Sequence, residues 1–95
     1  MYGTIARARI EPENRDRLVE VLRRQSYDSG VEGFESASVM FPENREGEVL
    51  FVVRFRDRDA YRRNAEDPAQ DARYREYRRL LGDDPEWFDG EWIEI

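Results

Sequence analysis

Four side chains in this 95-residue chain have the types and settings to serve small-molecule chemistry: Asn64, Tyr74, Trp92 and Arg54. Asn64 falls beside an expected break between two helical segments, where a carboxamide can act as a polar anchor or an oxyanion-type donor. The competing reading is a local amide that ends a helix. Tyr74 belongs with Tyr61 and Tyr77 to a helical aromatic stripe, which serves either as core or as a source of hydroxyls for a substrate oxygen. Trp92, with Trp87 before it, can wall a flat aromatic ligand or close the core and a subunit seam. Arg54 is the odd polar residue on an otherwise apolar strand face. It either receives an anionic substrate or pairs with a glutamate across the strand or across a dimer.

What the chain lacks narrows the chemistry further. It has no His, so the usual general base at neutral pH and the usual haem and zinc ligands are missing. All 16 basic residues are Arg, which removes Schiff-base chemistry and a P-loop lysine. There is no Cys, hence no disulfide or thiol chemistry. Asp57 and Asp59, and Asp83, Asp84 and Glu86, sit at turn and helix boundaries as caps and solvated loops, without the spacing of a calcium loop. No cofactor or metal is expected. The net charge of −6 opposes binding to nucleic acid or to an anionic membrane. The longest apolar run is too short to span a bilayer, and Met1 leads straight into strand-like sequence without a charged-then-apolar leader. A cytoplasmic protein is the expectation.

The elements that must position these residues centre on Glu48 to Arg56. This stretch is short, rich in β-branched and aromatic residues, and bounded by Gly47 and Asp57, so it reads as a strand. Val49, Phe51, Val53 and Phe55 share one face, and Leu50 and Val52 the other until Arg54 interrupts it. A sheet with one wet face should alternate apolar and polar, so both faces here want cover. One can be covered by helices; the other calls for a partner.

The rest of the single domain, residues 1–95, falls around that strand. Tyr2 to Ile10 predicts a first strand, with Arg7 and Arg9 paired or solvated near its end. Pro12 opens a helix with the buried stripe Leu18, Val21, Leu22 and Gln25, stopped by Gly30. Val31 to Phe41 predicts a second strand, with Phe34 and Met40 on one face and Val39 and Phe41 on the other. Turn residues from Pro42 to Gly47 join it to the anchor strand as a hairpin. A helical segment around Asp59 to Ala65 restarts at Asp67 (N-cap) and Pro68, with Gln70 placed for a capping box and Tyr74, Tyr77 and Leu81 facing inward. Trp87 to Ile95 predicts a last strand interrupted at Asp89-Gly90. The order β-α-β-β-α-β predicts an α+β fold: a four-stranded antiparallel sheet with two helices on one face and the third strand central. An RNA-binding domain shares that order, but the glycine-aromatic spacing and the acidic charge oppose it.

The opening Tyr2-Gly3-Thr4-Ile5-Ala6-Arg7-Ala8-Arg9 strand, the Pro12-led helix, the apolar third strand and Asp59-Ala60-Tyr61-Arg62-Arg63-Asn64 running to Asp67-Pro68 resemble the dimeric α/β-barrel superfamily, in its antibiotic-biosynthesis-monooxygenase type. The resemblance implies a ferredoxin-like protomer, a homodimer whose sheets pack face to face, and a cavity between sheet and helices. Family activities are mixed; some members oxidise polycyclic phenols with O₂ and no cofactor, and others degrade haem. The haem-degrading type relies on a His ligand that this chain does not have. Asn64 stands where many relatives carry His, so a base at this position is replaced by an amide that can still hold a phenolate or enolate. The expected function is cofactor-independent oxygenation of a small phenolic or enolic compound. Asn64, Tyr74, Trp92 and Arg54 form the expected pocket, and the proton acceptor is a carboxylate, a tyrosine network or solvent. A non-catalytic homodimer that binds a small ligand or a protein is the alternative.

Overall fold

A computed structural model describes residues 1–95. The elements are β1 (Tyr2–Arg9), a 3-10 turn at Pro12–Asn14, α1 (Arg15–Tyr27), β2 (Phe34–Met40), β3 (Glu48–Phe55), α2 (Arg58–Glu66), α3 (Pro68–Arg78) and β4 (Glu86–Glu91). The sheet runs β2-β3-β1-β4 with every neighbouring pair antiparallel. This is the expected α+β, ferredoxin-like arrangement, with β3 inside the sheet and the second helix divided in two. No helix is long and apolar enough to cross a membrane.

The core forms on the sheet face that carries Val49, Phe51 and Phe55. Ala6 and Ala8 of β1, Leu18 and Val21 of α1, and Tyr77 and Leu81 beyond it are buried against Val49 and Phe51. Each of the larger side chains contributes roughly 1.5–3 kcal/mol by leaving water. The stripe read for α1 is therefore the one that packs. On the other face, Ile5, Leu50 and Val52 are half-buried, while Met40 and Phe88 are exposed. Arg7 stands among them, paired with Glu48 (3.3 Å) and Glu86 (3.0 Å).

Local chemistry sets the helix boundaries. The Asp57 carboxylate accepts the Ala60 N–H at 2.8 Å and starts α2. Asp67 then takes an extended conformation because a residue before proline is pushed out of the helical region, and its side chain accepts the Ala69 N–H at 2.9 Å to cap α3. The break between the helices is thus written in Asp67-Pro68. Gln70 does not complete a capping box; its side chain turns to Asn64 and Arg73 instead.

Three strand expectations are corrected. β2 starts at Phe34, not Val31, and a bulge between Phe34 and Ser36 shifts the register. An extra residue reverses the alternation, so Phe34 sits opposite Phe55 on the helix-covered side rather than sharing a face with Met40. β4 runs unbroken through Asp89-Gly90 and ends at Glu91, short of the predicted Ile95. Gly90 pairs with Gly3 in this ladder; a Cβ at Gly3 would lie 1.9 Å from the Val53 carbonyl oxygen, whereas one at Gly90 would meet nothing within 4 Å. At the outer rim of β2, the Tyr27 hydroxyl donates to the Ala37 carbonyl (3.4 Å) and accepts its N–H (3.3 Å).

Candidate functional site

Between the sheet and the helices lies a cleft of about 600 Å³. Its floor is the helix-facing side of the sheet, from which Phe51, Phe55 and Trp87 rise. Trp87 stands edge-on to Phe51, with ring centres 5.8 Å apart, and Tyr74 tilts against Trp87 at 6.4 Å. Tyr77, also edge-on to Phe51, is the buried end of this aromatic wall. Burial pushes the ionisation of Tyr77 well above that of an ordinary tyrosine, and neighbouring Tyr74 and Tyr61 add to the shift. It stays neutral.

The roof carries the polar groups. Asn64, near the end of α2, donates from Nδ2 to Gln70 Oε1 (3.3 Å) and accepts at Oδ1 from Arg73 (3.3 Å); Arg73 also donates to Gln70 Oε1 at 3.1 Å. This triangle spans the helix break. Asn64 therefore ties the two helices together and also lines the cleft. Arg73 has only neutral side-chain acceptors and no carboxylate within ion-pair distance, although it is partly buried. Its backbone carbonyl accepts from Gln25 Nε2 (3.1 Å), and the same amide nitrogen donates to Glu76 at 3.0 Å. A buried amide of α1 thus holds α3 in place.

At another part of the lining, the Tyr61 hydroxyl donates to Asp89 Oδ1 at 2.8 Å. Burial raises the Tyr61 ionisation far above its usual range, and the Asp89 carboxylate that accepts its proton raises it further. Thr4 faces Asp89 across the β1–β4 pair, is 3% exposed, and leaves its own Oγ1 without a hydrogen-bond partner.

Asn64 and Tyr74 of the four sequence candidates meet in this cleft; Arg54 and Trp92 do not. Both lie on the opposite side of the sheet, where the Arg54 guanidinium sits 4.5 Å from the Trp92 ring centre and donates to Ser36 Oγ at 3.3 Å. Side-chain alternation is the cause: helices cover the Phe51 and Phe55 side, so Arg54 must point away. Within the protomer Arg54 meets a tryptophan face and a serine rather than a glutamate across the strand. Sequence reading missed Arg73, Asp89 and Thr4. Thr4 was visible as the one small hydroxyl on the face shared by Ala6 and Ala8, and Asp89 as the residue two along from Trp87. Arg73 had no signal of its own, because the helix break scrambles its spacing from Asn64.

The profile of the antibiotic biosynthesis monooxygenase family (ABM) matches residues 1–75. Solved structures give a likeness over nearly the whole chain. A mutant of SnoaB, a cofactor-independent oxygenase from Streptomyces nogalater, superposes with a TM-score of 0.78 at 15% identity, covering 99% of this chain and 94% of its own. The crystal structure of an antibiotic biosynthesis monooxygenase gives 0.72 at 15%, covering 99% and 100%. Rv0793 from Mycobacterium tuberculosis gives 0.74 at 19%, covering 99% and 96%. At such identities the likeness speaks for the fold. No curated protein matches the sequence.

Proposed function

Because the chain belongs to the antibiotic biosynthesis monooxygenase family, we propose that its cleft binds a small phenolic or enolic compound and lets it react with O₂ without a cofactor. The observation that carries this reading is the open aromatic cleft with an uncompensated guanidinium, Arg73, and a carboxamide, Asn64, in its lining. A chain used only as packing would have filled that space with its own side chains. SnoaB, a cofactor-independent oxygenase of the same fold, is a precedent for the reading.

Once deprotonated, a phenol or enol can pass an electron to O₂. The protein then has to hold the anion, orient it and keep water away. Arg73 and Asn64 supply charge-assisted and neutral hydrogen bonds to the anion. Tyr74, Trp87 and Phe51 stack against its rings and exclude solvent. Arg54 and Trp92, pointing the other way, take a different role in this reading. With Leu50, Val52, Met40 and Phe88 they form the surface that a second copy covers, giving a cytoplasmic homodimer.

The test is O₂ uptake with a panel of anthrones and hydroquinones, run on the wild type and on Asn64→Ala and Arg73→Ala. Uptake that collapses in both variants supports the reading. Saturable ligand binding without any uptake would put a non-catalytic binding module in its place. Sedimentation at micromolar concentration tests the assembly, and a single 11.4 kDa species would remove the homodimer.

A further inference from the structure

The oxygenase reading needs a proton acceptor, and a chain without His does not offer the usual one. Three observations converge on one part of the cleft lining. Asp89 has no arginine partner within ion-pair distance in a chain with 16 arginines; its one side-chain hydrogen bond comes from Tyr61. The Tyr61 hydroxyl spends its proton on Asp89, which leaves the oxygen lone pairs free to accept. The Thr4 hydroxyl beside them is buried without a partner, an unfavourable state that a ligand oxygen would relieve. Tyr61 is held in place by Tyr2 and Phe55, with ring centres at 5.3 and 5.6 Å.

We propose that Tyr61 and Asp89 form the proton exit for the substrate hydroxyl, with Thr4 donating to the oxygen left behind. This rests on the oxygenase reading above and deepens it. The substrate O–H donates to Tyr61 Oη; as that proton moves onto Tyr61, the original Tyr61 proton passes to Asp89 Oδ1. The electron pair of the broken O–H bond stays on the substrate oxygen, total charge is unchanged, and Tyr61 ends neutral. Asp89 is exposed on its outer side, so it can release the proton to water. The raised ionisation of Tyr61 fits a relay rather than a free-standing base. A carboxylate is a weak base, so the matching substrates are enols and phenols acidified by a conjugated carbonyl, not plain phenols.

Other charged or titratable groups surround the pair. Tyr2 of β1 packs on Tyr61, Arg58 of α2 lies beyond it, and Glu91 is opposite Tyr2 in register. Tyr74, Tyr77 and Arg73 line the same cleft from α3. None of them hydrogen-bonds Asp89.

The experiment has two arms, on the wild type, Asp89→Asn, Asp89→Glu and Tyr61→Phe. In the first, 4-nitrophenol is bound and its phenolate absorbance followed against pH, which needs no turnover. The Asp89 carboxylate holds the probe's proton through Tyr61, so the bound midpoint should fall by about one pH unit, roughly tenfold, in Asp89→Asn and Tyr61→Phe. It should stay near wild type in Asp89→Glu. Equal midpoints in all four proteins, or a probe that does not bind the wild type, overturn the proposal. In the second arm, kcat/KM for O₂ uptake should drop about 100-fold in Asp89→Asn where the substrate is protonated in solution. The loss should close at pH values where the substrate arrives already ionised. A loss uniform across pH overturns the relay and leaves the oxygenase reading standing. Absence of uptake in the wild type refutes that reading, and the probe arm then decides the role of the pair.

Discussion

The Asn64 carboxamide oxygen accepts a hydrogen bond from Arg73 at 3.3 Å across the break between α2 and α3. The contact joins a helix that caps the sheet to one that walls the cleft, and it points a guanidinium at the space between. Arg73→Ala should weaken binding of an anionic phenolate by roughly ten- to a hundredfold, the value of a hydrogen bond to a charged group. A neutral aromatic of the same shape should bind almost unchanged. Quenching of Trp87 fluorescence in a Trp92→Phe background measures both, and equal losses would show that Arg73 acts only through packing.

Asp67 is the second hinge of the same arrangement. Its side chain caps α3 through the Ala69 N–H, while its backbone N–H still reaches the Asn64 carbonyl at 3.2 Å. Asp67→Ala should cost about 1 kcal/mol by losing the cap. Asp67→Asn should cost much less, since an amide oxygen can accept the same bond. Urea midpoints of the two variants decide it; an equal cost for both would mean the charge, not the cap, was important.

Acid should loosen the contact between α1 and α3 before it unfolds the sheet. Hydrogen bonds from Arg24 and then Gln25 hold the Glu76 carboxyl below its ordinary 4.5. A depressed folded-state value contributes stability that is complete above the unfolded value and disappears as pH falls through the folded one. The wild type should therefore lose stability as pH drops below about 4.5, and Glu76→Gln should show a flatter acid limb. Thermal melts across that range would reveal a parallel pair of curves if Glu76 were uninvolved.

Gly3 sits where the two inner strands meet, and an added methyl would run into the Val53 carbonyl. Gly3→Ala should destabilise by about 3 kcal/mol or more, because the obstacle is backbone and cannot swing aside. At Gly90, where an added methyl would find nothing within 4 Å, the same substitution should be tolerated. Comparable denaturation midpoints for the two variants would contradict the steric account.

How far these features were readable beforehand follows from their range along the chain. The boundaries of β3 were legible because so short a run of β-branched and aromatic residues between turn residues suits little except a strand, and Asp67-Pro68 announced its own break. The bulge at Phe34 was hidden, since alternation assumes an unbroken two-residue period. Arg54 was rightly set apart from Phe51 and Phe55, but alternation alone does not say which side the helices cover. Asp-Gly at 89–90 read as an interruption of the last strand, and only its pairing with Gly3 and Thr4 shows the ladder running through it. The Tyr61–Asp89 and Asn64–Arg73 contacts depend on how separate elements dock, which no local pattern records.

The Tyr27 hydroxyl that occupies both polar groups of Ala37, together with the neighbouring bulge, has a bearing on solubility. β2 is an outermost strand, and a bare row of amides there would invite a stranger's strand to zip alongside. A phenol already seated on that row, next to a kink, denies the intruder a continuous track. Tyr27→Phe should fold as before and yet seed fibrils sooner under agitation, because the guard on that border would be gone.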